Sequence, residues 1–542
     1  MASAKTYIGL SLGNQNSVIA IINKDHRAEV IANEDGEHKT PSYIAFSGEE
    51  EYHGSQAKHQ VVRNAQNTIV GFRDILGRAY SEEMTALHPG FARIEKAADG
   101  GAVFVVETEA GAELRLSAHE VTVRYLARLR TTAEEYLGRK IEGAVVAVPV
   151  GFNDSQRKSI AAACADAGLP LLQMISEPVA AAVQYGLGQS ATHGDGKDTV
   201  AVVVDVGGTG TDVTVVAANG GLLIEAGNRH TTKVSGDTMD AVLMKHFAAE
   251  FNKQHGIDVL AQGASRAVRK LQQAVEITKR TLSAAPAAPC AVESLAEGLD
   301  YNGTIARTRF DILAGKTYAP ALEAIEAAVR EAGYGLAQVD QVLLCGGAAR
   351  VRRLQTSIAG LFPESTVMRD DAGELDEVVA AGCAAQAALI AQNAVTVPAT
   401  ASIEAAVLAR PVGLQLAADN LAPVLFQNTP LPASRTIKVA LPAGEKRAYL
   451  AISEGEPMPP KEANDEDDDD QESVGDEDDE TAEIARYRPT KLLAEMVLEL
   501  DAVDAATRVH VQFFADTDGK LTVTASEPVS GKSITAEIPR AI

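Results

Sequence analysis

Two blocks of this chain share one arrangement of apolar and polar positions: a strand-length apolar run, a turn of small and polar residues, then a second alternating run. The first covers 7–22, YIGLSLGNQNSVIAII, and the second 200–216, VAVVVDVGGTGTDVTVV. Apolar runs joined by a short glycine turn predict a tight β-hairpin in each block. Each hairpin opens a longer stretch, 5–195 and 196–396, in which strand and amphipathic-helix patterns alternate. Doubled in this way, the alternation predicts two α/β lobes with a cleft between them. An apolar strand ends at Val148 and is followed by Pro149, then by Asn153 and Asp154 as predicted caps of the next helix. The stretch 266–283, RAVRKLQQAVEITKRTLS, predicts a helix packed through Val268, Leu271, Val275 and Leu282. An Ala-rich helix is predicted over 377–393, at the end of the second lobe.

Beyond 410 the texture changes to short alternating runs at 412–416, 435–439, 448–452, 492–500, 509–514, 521–525 and 534–538. Pro, Gly and Asp turns separate them, which predicts a β-sandwich of two small sheets. The expected organisation is therefore a two-lobed domain over 1–396, a linker over 397–411 and an all-β domain over 412–542. The all-β domain is interrupted at 462–483 by fourteen Asp and Glu with no Lys or Arg, which accounts for more than half of the formal charge of −25. Like charges with little apolar surface predict a solvated, disordered loop; an arm for a basic partner is the sharper alternative. The sign of the charge disfavours direct nucleic-acid binding. The four cysteines, Cys164, Cys290, Cys345 and Cys383, lie far apart in apolar surroundings and read as buried free thiols in a reducing compartment. The start, MASAKTYIGLSLG, lacks the pattern of a signal peptide, and no run is apolar enough to span a membrane, so a cytosolic location is expected. The last predicted strand ends close to Ile542, so no helical tail is expected after it.

Glycine turns let backbone approach a ligand and aim N–H donors at one point, which suits phosphate. Two such hairpins facing each other would grip a polyphosphate from both sides. They differ in one respect: the second carries Asp205 where the first carries Ser11. In the 266–283 helix, Glu276, Lys279 and Ser283 share a face and Arg280 lies alongside. That set suits a purine and a ribose, although spacing alone favours an exposed, salt-bridged face. A further strand–glycine–helix junction at 342–355, VLLCGGAARVRRLQ, suits an anion or a nucleoside.

With TPSYIAF at 40–46, VPVGFNDSQR at 148–157, SEPVAAAVQYGL at 176–187, DVGGTGTDV at 205–213, ITKRTLS at 277–283 and CGGAARV at 345–351, the chain resembles the 70-kDa heat-shock chaperone family over nearly its full length. The resemblance implies an actin-like nucleotide-binding domain, a linker and a β-sandwich peptide-binding domain, with ATP as ligand and Mg²⁺ beside it. It assigns the purine and ribose to Glu276, Lys279, Arg280 and Ser283, with further adenosine contacts from Gly236, Gly346, Gly347, Ala348, Arg350 and Asp376. The phosphates fall to Gly13, Asn14, Gln15, Gly207, Gly208 and Thr209, and Asp205 orients water around Mg²⁺. Pro149, Arg157 and Glu177 match the relay between nucleotide and β domain.

The departures from the family pattern carry mechanism. Where the family has Asp-Leu-Gly-Thr-Thr, this chain has Ser11-Leu12-Gly13-Asn14-Gln15; an acid and two hydroxyls are gone. The family's catalytic lysine aligns with Arg73, and the second-loop threonine is displaced by one place to Thr209. Hydrolysis needs a water held in line with the γ-phosphate and a positioned positive charge. Losing one such donor costs about 10²–10³ in rate. The departures therefore predict ATP binding with negligible hydrolysis. The linker segment 403–410, IEAAVLAR, lacks the family's leucine run and acid, and the helical lid is expected to be missing. These features together resemble the atypical fungal members of the ribosome-associated complex. That implies a stable heterodimer with a zuotin-like J-domain protein through the β domain, indirect attachment to cytoplasmic ribosomes, and stimulation of a conventional 70-kDa chaperone's ATPase. An active lidless peptide-binding ATPase and a metabolite kinase of the same fold are the competing readings.

Overall fold

The computed structural model describes residues 6–107, 111–187, 199–219, 222–263, 265–393, 408–417, 420–427, 429, 431, 433–440, 446–458, 487–500, 508–516, 519–528 and 530–538. The chain divides into two compact units: Met1–Ala332 with Val339–Ala401, and Gly333–Gln338 with Ser402–Ile542. The segment 189–197 (QSATHGDGK), whose polar, glycine-containing sequence reads as a turn before the second hairpin, lies outside the described residues, as do most of the predicted linker and the acidic segment 462–483.

In the first unit both predicted hairpins form. Tyr7–Leu12 pairs antiparallel with Asn16–Ile22, and Thr199–Val206 with Thr211–Asn219. Each hairpin is the centre of a sheet with the same strand order. On one side a third strand completes an antiparallel meander, Ala28–Val30 in the first lobe and Leu222–Thr231 in the second. On the other side two strands follow in parallel, Gly143–Val148 and Leu171–Ser176 in the first lobe, Gln341–Cys345 and Val367–Arg369 in the second. One topology built twice is the architecture that the doubled pattern predicts. Gly143–Val148 and Gln341–Cys345 are buried at every position, as inner parallel strands covered on both faces must be.

After Gly143–Val148 the chain turns at Pro149 into the helix Asp154–Asp166. Its cap is Asn153 alone: Asn153 Oδ1 accepts from the Gln156 N–H, and Gln156 Oε1 accepts from the Asn153 N–H. Asp154, expected as a second cap, is instead the first helical residue, where its charge faces the positive end of the helix dipole.

The Ala-rich helix is Val378–Asn393, and it corrects the lobe boundaries expected at 5–195 and 196–396. A Cβ on Gly9 would lie 2.1 Å from the Ala384 nitrogen, and one on Gly382 would lie 1.8 Å from the Ala180 carbonyl oxygen. The helix therefore packs backbone-to-backbone on the first sheet and on Glu177–Gln184, so 378–393 belongs with the first lobe. Glycine and alanine permit that approach; larger side chains would hold the helix off.

The second unit has two four-stranded layers around one core that includes Leu414, Ile452, Val511, Phe513 and Val523. Ala433–Ala440, Arg508–Ala515, Leu521–Ser526 and Ser533–Ile538 form an open antiparallel sheet. The other layer is not an open sheet. Val412–Ala417, Asn420–Leu425, Tyr487–Glu499 and Arg447–Pro457 close into a barrel through the Leu421–Tyr487 pairing. The strand Asn420–Leu425 is absent from the sequence-based expectation, because Pro423 interrupts NLAPVL. The proline is accommodated opposite Gly413 beside a register shift, where no regular ladder bond is required of it.

All four cysteines are free and buried. No helix among the described residues is long and apolar enough to cross a membrane.

The helix seating gives a direct test. Gly382→Ala drives a methyl group into the Ala180 carbonyl and is expected to destabilise the first unit by about 1–3 kcal/mol or more. Gly315→Ala, where an added Cβ meets nothing within 4 Å, is expected to leave the urea midpoint nearly unchanged.

Candidate functional site

A cleft of about 980 Å³ lies between the two sheets of the first unit. Both glycine turns open onto it: Ser11, Gly13, Asn14 and Gln15 from one lobe, Asp205, Gly207, Gly208 and Thr209 from the other. Gly236, Glu276, Lys279, Arg280, Ser283, Gly346, Gly347, Ala348, Arg350 and Asp376 also line it, as do Arg73, Pro149 and Glu177. Of the residues singled out from sequence, Arg157 alone is absent from the lining; its Nε donates to the Phe152 carbonyl at 3.1 Å.

The turns are held by backbone acceptors. Ser42 donates its hydroxyl to the Gly13 carbonyl (2.6 Å) and its N–H to the Gln15 carbonyl (2.9 Å). In the second lobe the Gly236 and Asp237 N–H groups, at the start of the helix Gly236–His255, donate to the Gly207 and Gly208 carbonyls at 2.9 Å. These bonds fix the carbonyls of both turns. Gly346 has φ 83°, and a Cβ there would lie 2.3 Å from Asp205 Oδ1. Only glycine brings the third turn that close to the second.

The helix Arg266–Ala284 presents Glu276, Lys279, Arg280 and Ser283 to the cleft, but its charges are already paired. Lys58 Nζ lies 2.8 Å from Glu276, Arg280 Nη2 lies 2.6 Å from Glu276, and Lys279 Nζ lies 2.8 Å from Asp240 and 2.9 Å from the Gly236 carbonyl. Arg350 is paired with Asp376 and Glu374, and Lys39 with Asp376. This face is therefore salt-bridged, as spacing alone favours, and it also lines the cleft.

On the cleft floor, sheet register puts acids in a row. Asp205 pairs across with Asp212 on one side and Cys345 on the other, and Asp212 pairs with His230. His230 Nδ1 lies 2.9 Å from Asp212 Oδ1, and that hydrogen bond raises the imidazole pKa. Above the row sits Arg73, with a side chain only 15% exposed. Its Nη1 donates to the Leu12 carbonyl and to Glu177 Oε1, both at 3.0 Å, and its Nε donates to Asp74 Oδ1 at 3.1 Å. Burial pushes the Glu177 carboxyl up to about 7 even with the guanidinium beside it. Burial, then Glu177 and Asp212, pushes Asp205 up to about 8.

Asp74, Asp212, Asp237 and His230 join the site without having been singled out from sequence. Asp212 could have been: in DVGGTGTD the two acids are placed symmetrically about the hairpin turn, and register must set them side by side. His230 gives no such signal, since its strand joins only after a separate turn.

The Hsp70 family model matches residues 7–461. The chain is 34% identical to a heat shock protein 70 homologue of Schizosaccharomyces pombe, over 97% of this chain and 94% of that protein. It is 33% identical to the ribosome-associated complex subunit SSZ1 of Saccharomyces cerevisiae, over 98% of this chain and 99% of that protein. With a ribosome-associated molecular chaperone of Eremothecium gossypii the identity is 31%, over 83% of this chain and 70% of that protein. The chain belongs to the Hsp70 family. Hsp70 proteins in general bind nucleotide together with Mg²⁺. The donor set fits a metal held through water rather than directly. Among the described residues no three His, Cys, Asp or Glu are grouped to ligate an ion, and Asp205 and Asp212 both reach the cleft beside the second turn.

The floor sets a pH dependence. An acid whose folded pKa is raised binds more protons folded than unfolded, so its contribution is present below about pH 4 and lost as pH rises through the folded value. For Glu177 that window closes at about 7. The melting temperature is expected to fall between pH 5 and pH 8, and Glu177→Gln to flatten that fall.

Proposed function

We propose that this protein is an ATP-binding, largely non-hydrolysing Hsp70 that acts as a co-chaperone subunit on cytosolic ribosomes. In this reading it forms a stable heterodimer with a zuotin-like J-domain protein and stimulates the ATPase of a conventional 70-kDa chaperone acting on nascent chains. The ribosomal assignment is supported by likeness to SSZ1 over nearly the whole of both chains.

The single observation that carries the non-hydrolysing part is the engagement of Arg73. The cation aligned with the family's catalytic lysine is bonded to Leu12, Glu177 and Asp74. To reach a phosphate it would have to leave Glu177 unpaired in a buried site, and breaking a buried pair costs about 3–5 kcal/mol. Its planar fork also occupies space differently from a compact ammonium. Ser11 adds no acid opposite Asp205, so water around Mg²⁺ would be held from one side. Mg²⁺ arriving with the triphosphate would neutralise phosphate charge, with Asp205 contacting it through water. The adenosine side keeps Glu276, Lys279, Arg280, Ser283, Arg350 and the glycine turn at 346–347 on the cleft wall, so binding outlives hydrolysis in this reading.

The β unit would hold a segment of the J-domain partner by strand addition, with Pro149, Arg157 and Glu177 retained from a relay that has lost its drive. The competing reading, an active peptide-binding ATPase, requires Arg73 to be released during turnover. Single-turnover hydrolysis separates the two. The wild-type protein is expected to retain intact ATP, with a rate at least about 10²–10³ below that of Ser11→Asp/Arg73→Lys, since each restored positioning group is worth that much. Comparable steady ADP release from both would defeat the proposal.

A further inference from the structure

The two remodelled residues of the first turn reach across the cleft. Asn14 Nδ2 donates to Thr209 Oγ1 at 3.2 Å, and Gln15 Nε2 donates to Asp237 Oδ1. Gln15 also lies on the second turn, where a Cβ on Gly208 would come within 2.6 Å of its Cδ. Each end of these contacts is fixed in its own lobe. Asn14 donates to Asp74 as well, and Asp74 is held by Arg73. Asp237 stands in the first turn of the helix Gly236–His255, and its N–H is bonded to the Gly208 carbonyl. Thr209 is itself a departure from the family's second loop. Both partners of the Asn14–Thr209 bond are thus residues in which this chain differs from its family.

We propose that Asn14, Gln15, Thr209 and Asp237 form a latch that closes the two lobes on each other in the absence of nucleotide. In a cleft that closes around a triphosphate, the phosphates are the link between facing turns: donors from both lobes converge on them, and an empty cleft has no such tie. Here two amide side chains supply the tie. The reach is specific to them, because the amide nitrogen of glutamine lies two bonds further from the backbone than a threonine hydroxyl. Threonines at 14 and 15 would leave both spans open. The latch also acts on exchange. Nucleotide cannot leave without separating the turns, so release requires breaking the same bonds.

The exchange arm of this inference rests on the cleft being the nucleotide site; the closure of the empty cleft does not. The four native cysteines are buried, so cysteines introduced at the exposed positions Arg63 in the first lobe and Ile312 in the second can be spin-labelled selectively in the full chain. Pulsed electron paramagnetic resonance then reads the distance between lobes. The nucleotide-free wild-type background is expected to give a narrow distribution that ATP does not shift. Asn14→Thr/Gln15→Thr is expected to give a broader, longer distribution when empty, and to release a fluorescent ATP analogue about thirtyfold faster, the scale of two lost hydrogen bonds. A wild-type distribution as broad as the variant's without nucleotide overturns the latch. If calorimetry finds no ATP binding at all, the proposed function falls, while the comparison of the two empty proteins still decides the latch.

Discussion

A guanidinium shut into a floor of acids is the constraint on which the rest of this cleft depends. Arg73 cannot be left unpaired at its depth, and Glu177 and Asp74 are the acids that pair with it. Its bonds to Leu12, Glu177 and Asp74 tie together three separate stretches: the strand that enters the first glycine turn, the start of the helix Glu177–Gln184, and the short helix Phe72–Ile75. The residue aligned with a mobile catalytic group thus acts as a rivet. That is why the departures at 11, 14, 15 and 73 read as one change rather than four. In the proposed reading, a cation fixed to the floor would leave an acid opposite Asp205 and hydroxyls in the turn with no transferring phosphate to serve.

The rivet works because the surrounding frame is close-packed. Gly9 and Gly382 let Val378–Asn393 settle against the first sheet and against Glu177–Gln184. Glu177 opens the latter helix, so its carboxylate is placed under Arg73 by contacts between backbones rather than by a flexible chain. In the second lobe, sheet register places Asp205, Asp212 and His230 in sequence across three strands. His230 pairs with Asp212, while Asp212 adds to the negative charge that Asp205 faces.

Much of this was legible in the chain itself. Period-two runs around glycine turns point to both hairpins, and the amphipathic stripe marks the helix Arg266–Ala284 to within a residue. Of the site residues expected from motifs shared with a family, all but Arg157 line the cleft, while Asp74, Asp212, Asp237 and His230 were not among them. The failures share one physical origin: local pattern does not report where an element docks. The Ala-rich helix follows the second lobe in sequence but packs on the first. Asn420–Leu425 carries a proline whose tolerance depends on a glycine and a register shift in another strand. Nothing in SLGNQN announces that its two amides end on Thr209 and Asp237, about two hundred residues away. Such contacts are properties of the assembled cleft.

The same logic narrows what the β unit can offer a partner. The layer built from Val412–Ala417, Asn420–Leu425, Tyr487–Glu499 and Arg447–Pro457 is closed by the single Leu421–Tyr487 pairing, so a strand added at that seam would compete with the closure. The open layer has two edges, Ala433–Ala440 and Ser533–Ile538. Ala433–Ala440 alternates half-buried and exposed positions along its whole length, which gives an incoming strand both backbone partners and a side-chain register to read. Ser533–Ile538 shows the same alternation but is shorter, at six residues against eight, and ends in a buried Ile538. If a partner segment is held by strand addition, Ala433–Ala440 is the edge with the longer ladder and the more regular face. The barrel then serves as a rigid support for the shared core, in which Leu414 and Ile452 pack with Val511, Phe513 and Val523.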